Sequence, residues 1–180
     1  MRRIVAAVGL LLSVAGCSST STTPAHAPTP TPTSTLSTAT RTQAGVAVRV
    51  SVMGQGSAGW RLKVLLVPLS RGFHLYSLSL PNGGEQGLGI PTRLSVRGAL
   101  EATGAATAQE PTRLLDIAVL GVKLPVYPDG PVTLDLPVRD AAAAASGDGA
   151  MAQVVVSYGA CSSATCLAPV IGEVIPVSVP

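Results

Sequence analysis

The strongest constraint on this chain is an alternation of side chains that repeats from about residue 44 to the end. In VAVRVSV, Val46, Val48, Val50 and Val52 fall on one side and Ala47, Arg49 and Ser51 on the other. WRLKVLLV places Trp60, Leu62, Val64 and Leu66 together, with Arg61 and Lys63 opposite. VTLDLPV groups Val132, Leu134, Leu136 and Val138 against Thr133 and Asp135, and QVVVSY and EVIPVSV are further β-rich runs. A period of two sends successive side chains to opposite faces of a pleated strand, so each run reads as a strand with one buried face. The turn-forming stretches GQGSAG, PNGGEQGLG, YPDGP and SGDG separate them. About seven short strands with no helix-period segment between them predict an all-β fold, an antiparallel β-sandwich. RDAAAAASGDGAM is the exception: alanine favours helix, but the run is short and glycine-flanked, and it reads as a loop with at most one helical turn. A domain over residues 44–180 is large enough to fold without covalent staples.

The first 17 residues, MRRIVAAVGLLLSVAGC, have the order of a secretory signal. Arg2 and Arg3 form a charged start, and Ile4 to Leu12 form an apolar stretch too short to span a bilayer. The stretch ends in VAGC, which resembles the bacterial lipobox, in which small residues precede a cysteine that is lipidated and becomes the new N-terminus. Cys17 is the expected lipidation site, and the expected location is extracytoplasmic, with a lipid anchor in the cell membrane. The net charge of +3 includes Arg2 and Arg3; without them ten basic residues face nine acidic ones. A chain so close to neutral lacks the basic footprint of a nucleic-acid binder and the polybasic run of a membrane-surface binder.

Residues 18–43, SSTSTTPAHAPTPTPTSTLSTATRTQ, carry no charge before Arg41 and little apolar surface. They are expected to form a disordered stalk with a reach of roughly 25–30 Å as a flexible coil. His26 in this setting is expected to be solvated.

Three cysteines occur in the chain. With Cys17 lipidated, Cys161 and Cys166 in YGACSSATCLAP are the two thiols of the folded part, in a compartment that permits disulfides. The small, polar SSAT between them brings the two Cβ atoms within disulfide range across the mouth of a hairpin. Three readings stand at this point. A structural staple closing so short a ring contributes roughly 2 kcal/mol. Two thiolates are half of a zinc site or a Cu(I) site, but His74, Met53 and Met151 are far away in sequence. A redox pair fits the exchangeability of short-loop disulfides, although no Lys or Arg follows Arg139 to lower a thiol pKa locally.

Three stretches resemble the N-terminal periplasmic domain family of the thiol:disulfide interchange protein DsbD. SRGFHLYSLSLPNGG is similar to the family's glycine-aromatic-histidine-aliphatic-tyrosine strand and the turn after it. GIPTRLSV is similar to the Pro-Thr strand start that follows. VVVSYGACSSATCLAP resembles the family's strand, Tyr, spacer, Cys, four or five residues, Cys, apolar residue and proline. With VTLDLPV they occur in family order and span most of residues 45–180.

The resemblance implies an immunoglobulin-like sandwich whose working dithiol is Cys161 and Cys166, with no cofactor and no metal. Cys166 is then the sulfur attacked in a mixed disulfide, Cys161 its partner, and Tyr158 a strand-end aromatic near the site. Members relay electrons from a membrane-embedded transporter, through a thioredoxin-like domain, to thioredoxin-fold proteins. Here those partners are expected on separate chains, and the protein itself as a monomer. The family covers its cysteines with a cap loop bearing an acid and an aromatic ring. The matching region, LLDIAVLGVKLPVY, offers Asp116 with the aliphatic Val119 and Leu120 in place of the ring. Trp60 and Phe73 are expected as core anchors and His74 as a surface or edge histidine.

Overall fold

The computed structural model describes residues 34–54, 59–141 and 149–179. In chain order the strands are β1 (Ser34–Gln43), β2 (Val46–Gly54), β3 (Trp60–Pro68), β4 (His74–Leu75), β5 (Arg93–Gly98), β6 (Leu100–Ala102), β7 (Thr107–Ala108), β8 (Arg113–Ile117), β9 (Val122–Val126), β10 (Val132–Asp140), β11 (Met151–Tyr158), β12 (Ala160–Cys161) and β13 (Val170–Ser178). All the pairings between them are antiparallel. One sheet runs β1-β2-β3-β10-β6, with β7 also paired to β10, and the other runs β13-β11-β5.

The faces are those the alternation predicts. Val46, Val48, Val50 and Val52 of β2, Leu62, Val64 and Leu66 of β3, and Val132 and Leu134 of β10 have no exposed surface. They meet Val154, Val156, Ile175 and Val177 of the opposite sheet in one core. Each such side chain contributes about 1.5–3 kcal/mol when fully buried, and their number is what holds the two sheets together. The protein is thus an all-β, immunoglobulin-like antiparallel sandwich. Its strand number exceeds the expected seven because the extra elements are short pieces of two to five residues that bridge the sheets or flank them. Phe73 is buried in the core, and Trp60 packs against it half-buried, as expected.

The N-terminal boundary differs from expectation. Ser34–Gln43, assigned above to a disordered stalk, is β1 and pairs with β2 along nearly its whole length. Arg41 also reaches Glu173 of β13 at 3.0 Å. The signal-like segment, Cys17 and the stalk up to residue 33 lie outside the described residues, as does the alanine-rich run over 142–148.

Between β1 and β2 the chain reverses through Ala44 and Gly45 alone, both at positive φ (45° and 71°). That is the two-residue hairpin geometry whose twist matches paired strands. The turn is packed as well as tight: a Cβ on Gly45 would stand 3.1 Å from Leu167 Cδ1. Tyr158 adds a second tie by donating its hydroxyl proton to the Gln43 carbonyl at 2.9 Å.

Candidate functional site

Strand β11 ends at Tyr158, and Gly159 lets the chain leave that sheet to form β12. This short strand pairs with β4, setting Ala160 opposite Leu75 and Cys161 opposite His74. A Cβ at Gly159 would stand 3.0 Å from Ile90 Cβ and 3.2 Å from the Tyr76 ring, so any larger residue here requires those neighbours to shift. On its other side the β4 segment carries the hairpin of β8 and β9, through a bridge from Tyr76 to Val126 and the bonds Ser77 N–H to Pro125 O and Tyr127 N–H to Leu75 O, both 2.9 Å.

Because strands or loops cover both faces of Phe73 to Tyr76, alternation there separates two cores rather than core from solvent. Phe73 and Leu75 enter the main core. Tyr76 belongs to a second cluster with Leu80, Val122, Leu124, Val126 and Cys161, edged by Leu115 and Ile117. His74 shares this second face. It is 3% exposed, where a surface or edge position was expected.

Cys161 and Cys166 form a disulfide, with Cα atoms 4.0 Å apart and an antiparallel bridge between the two residues. The SSAT loop between them is self-contained. Ser162 Oγ accepts the N–H groups of Ala164 and Thr165 at 3.2 and 3.1 Å, and Ser162 N–H donates to Thr165 O at 2.7 Å. Leu167 N–H donates to Ala160 O at 2.9 Å and closes the base. The two sulfur-bearing residues differ sharply: Cys161 is 6% exposed, whereas Cys166 is exposed.

The disulfide lies in the wall of a cleft of about 620 Å³, facing Leu115, Asp116 and Ile117 of β8. A smaller cleft of about 160 Å³, lined by Ile90, Leu167 and Pro169, reaches the same two cysteines. Tyr76 borders both. Its hydroxyl donates to Cys161 Sγ at 3.3 Å, the direction fixed because a disulfide sulfur has no proton to give. Burial pushes the Tyr76 pKa upward, which keeps that donor protonated.

His74 Nδ1 lies 3.4 Å from Asp129 Oδ1, and Arg113 Nη2 lies 3.1 Å from the same oxygen. Burial, and then the positive charge of Arg113, lower the His74 pKa from its ordinary 6.5; Asp129 offsets part of this. The unfolded chain therefore binds the His74 proton more tightly than the fold does. The stability this residue contributes is complete above pH 6.5 and is lost as the pH falls from there through the lowered folded-state value. Thermal melts from pH 7.5 to 5 should show falling stability in the native chain and a flatter profile in His74→Phe. Parallel profiles would remove His74 as the cause.

Of the expected cap residues, Asp116 lines the large cleft, where it pairs with Lys123 Nζ at 2.6 Å on the hairpin surface. Val119 and Leu120 do not line it. They sit in the 3₁₀ turn Ala118–Leu120 at the hairpin tip, 91% and 55% exposed, and Leu115 and Ile117 supply the apolar wall instead. Tyr158 borders neither cleft. It is buried in the main core, where burial and then Glu173 push its pKa up to about 12. The aromatic ring at the sulfur is Tyr76, which the FHLY stretch contains but which only long-range pairing brings to Cys161, 85 residues on. Gly89 keeps that ring in place: at φ 81°, its Cβ would lie 2.9 Å from both Tyr76 Cε1 and Leu80 Cδ2. Gly89→Ala should cost roughly 1–3 kcal/mol through the left-handed backbone and the displaced ring. Thermal melting measures the cost, and an unchanged melting temperature would show that the ring yields freely.

Comparison of the chain with protein-family models, with curated proteins and with solved structures finds no match in any of the three.

Proposed function

We propose that this protein is a thiol–disulfide exchange carrier whose working group is the Cys161–Cys166 pair. The observation that supports it most is the unequal setting of the two sulfurs. Cys166 is exposed at an open cleft, whereas Cys161 is buried under the β8–β9 hairpin with a hydroxyl donor on its sulfur. An incoming thiolate attacks Cys166 Sγ in line with the disulfide. The new bond joins the partner to Cys166, and the electron pair of the broken bond leaves on Cys161 Sγ. Tyr76 O–H is placed to hydrogen-bond the departing thiolate. A second thiolate from the partner then resolves the mixed disulfide, leaving the dithiol here and a disulfide in the partner. The reverse sequence passes the electrons to an oxidised acceptor.

In this reading the protein works outside the cytoplasm, lipid-anchored through Cys17. It draws electrons from a polytopic membrane transporter or a thioredoxin-like reductant and delivers them to thioredoxin-fold proteins. The linker after the anchor raises the effective concentration of the domain at the membrane. Acid-quenched thiol trapping in living cells tests the reading. A carrier shows a reduced fraction that disappears when the membrane electron donor is removed. A fully oxidised population under every growth condition would identify the pair as a structural staple of a binding sandwich.

A further inference from the structure

We infer that His74 is the built-in proton acceptor for the Cys161 thiol, its Nε2 lone pair left without a partner in the disulfide form and supplied with one when the bond is reduced. The inference rests on the dithiol reading above and adds to it the group that handles the proton.

The tautomer follows from the neighbours. Nδ1 faces the Asp129 carboxylate at 3.4 Å, so the single proton of the neutral imidazole belongs on Nδ1. Nε2 is then an acceptor, and it is buried with no hydrogen-bond partner. A buried acceptor left unpaired is costly and uncommon in a folded protein. His74 lies directly opposite Cys161 in the β4–β12 register. Side chains so opposed share one face, with Cβ atoms about 4.5–5.5 Å apart. Both residues line the large cleft. The disulfide sulfur offers no donor, whereas a thiol at the same position carries one.

The other ionisable groups around this cleft leave the role open for His74. Arg113 and Asp129 are paired to each other, Asp116 is paired to Lys123, and Tyr76 already donates to Cys161 Sγ. On reduction, the proton released by the attacking thiol arrives at Cys161 Sγ, and the new S–H donates to Nε2. When the reduced pair acts on an oxidised partner, Cys166 gives its proton to solvent and its thiolate attacks one sulfur of the partner disulfide. The mixed disulfide forms, and the partner's other sulfur leaves as a thiolate that takes a proton from solvent. Nε2 then takes the proton from Cys161, whose thiolate attacks Cys166 Sγ and expels the partner thiolate. The imidazolium gives its proton to that leaving sulfur. The disulfide is restored, the partner holds two thiols, and His74 is neutral again.

The test is ¹⁵N NMR of the His74 ring in the full chain, first oxidised and then reduced with dithiothreitol. Nε2 is expected to shift on reduction while Nδ1 stays protonated. A kinetic measurement accompanies it: a glutathione mixed disulfide is formed on Cys166 and its resolution by Cys161 is followed by mass spectrometry. Folded His74→Phe is expected to resolve it about a hundredfold more slowly, the low end of general-base effects. An Nε2 resonance that ignores the redox state overturns the inference, and so does unslowed resolution by the folded variant. If the variant does not fold, the NMR result on the unaltered chain decides. A shift of Nε2 in a protein that is fully oxidised in every cell would retain the His74 role and remove the carrier reading. An unmoved Nε2 beside a reduced cellular fraction would do the opposite.

Discussion

Cys166→Ala is expected to abolish thiol exchange completely while the sandwich stays folded. The two effects separate because the sulfur is exposed and the covalent ring is small. Opening a ring of this size removes roughly 2 kcal/mol of chain-entropy stabilisation, which for a domain of this length lowers the melting temperature by less than about 10 °C. The main core, formed by β2, β3 and β10 against β11 and β13, contains neither cysteine. Cys161→Ala gives the opposite chemical outcome. It leaves Cys166 as a free thiol whose thiolate attacks the disulfide of an oxidised partner and releases that partner's other sulfur. It also removes the thiol that resolves the adduct, so mixed disulfides with partner proteins accumulate. Non-reducing gels of cells carrying each variant read both results. If the Cys161→Ala chain traps no partner and Cys166→Ala leaves extracytoplasmic reductive pathways intact, the exchange function is wrong.

Leu124→Ala is expected to cost about 2–5 kcal/mol, the range for emptying a buried leucine site, and to uncover the disulfide selectively. Leu124 is completely buried, but in the second cluster, with Tyr76, Leu80 and Cys161, rather than between the two main sheets. A cavity there loosens the β8–β9 hairpin from the β4 segment. Amide exchange should quicken over Arg113–Ile117 and Val122–Val126 while β3 keeps its protection, and dithiothreitol should reduce the disulfide faster than in the native chain. Equal loss of protection in β3 would mean that the hairpin and the main sheets open as one unit.

Much of the sandwich was legible because half-buried strands repeat their chemistry every second residue. Val46 to Val52 and Leu62 to Leu66 needed nothing beyond that period. β1 was hidden because it is an outer strand with little to bury: its serines and threonines match a stalk in composition, while β-branched threonine also suits an edge strand. His74 was misplaced because alternation tells which residues share a face and not whether that face is wet. Here the β8–β9 hairpin, about 40 residues further along the chain, covers it. Asp116, the acid expected in a cap, lines the cleft, whereas the apolar residues expected with it, Val119 and Leu120, sit at the tip, where the chain merely turns. Leu115 and Ile117 sit on the arm beside Asp116, and the pairing of β8 with β9 determines which of their neighbours face the cleft. Tyr158, adjacent in sequence to the cysteines, belongs to the main core, and Tyr76 takes its place at the sulfur.

The packed turn at Ala44 and Gly45 has a consequence for geometry at the scale of the whole sandwich. It touches Leu167, the neighbour of Cys166, and so marks the end of the sandwich that bears the disulfide. From that turn β1 runs back ten residues to Ser34, a length of about 33 Å at the rise of a strand. Ser34 therefore lies at the far end of β1 from the disulfide, with the length of that strand between them.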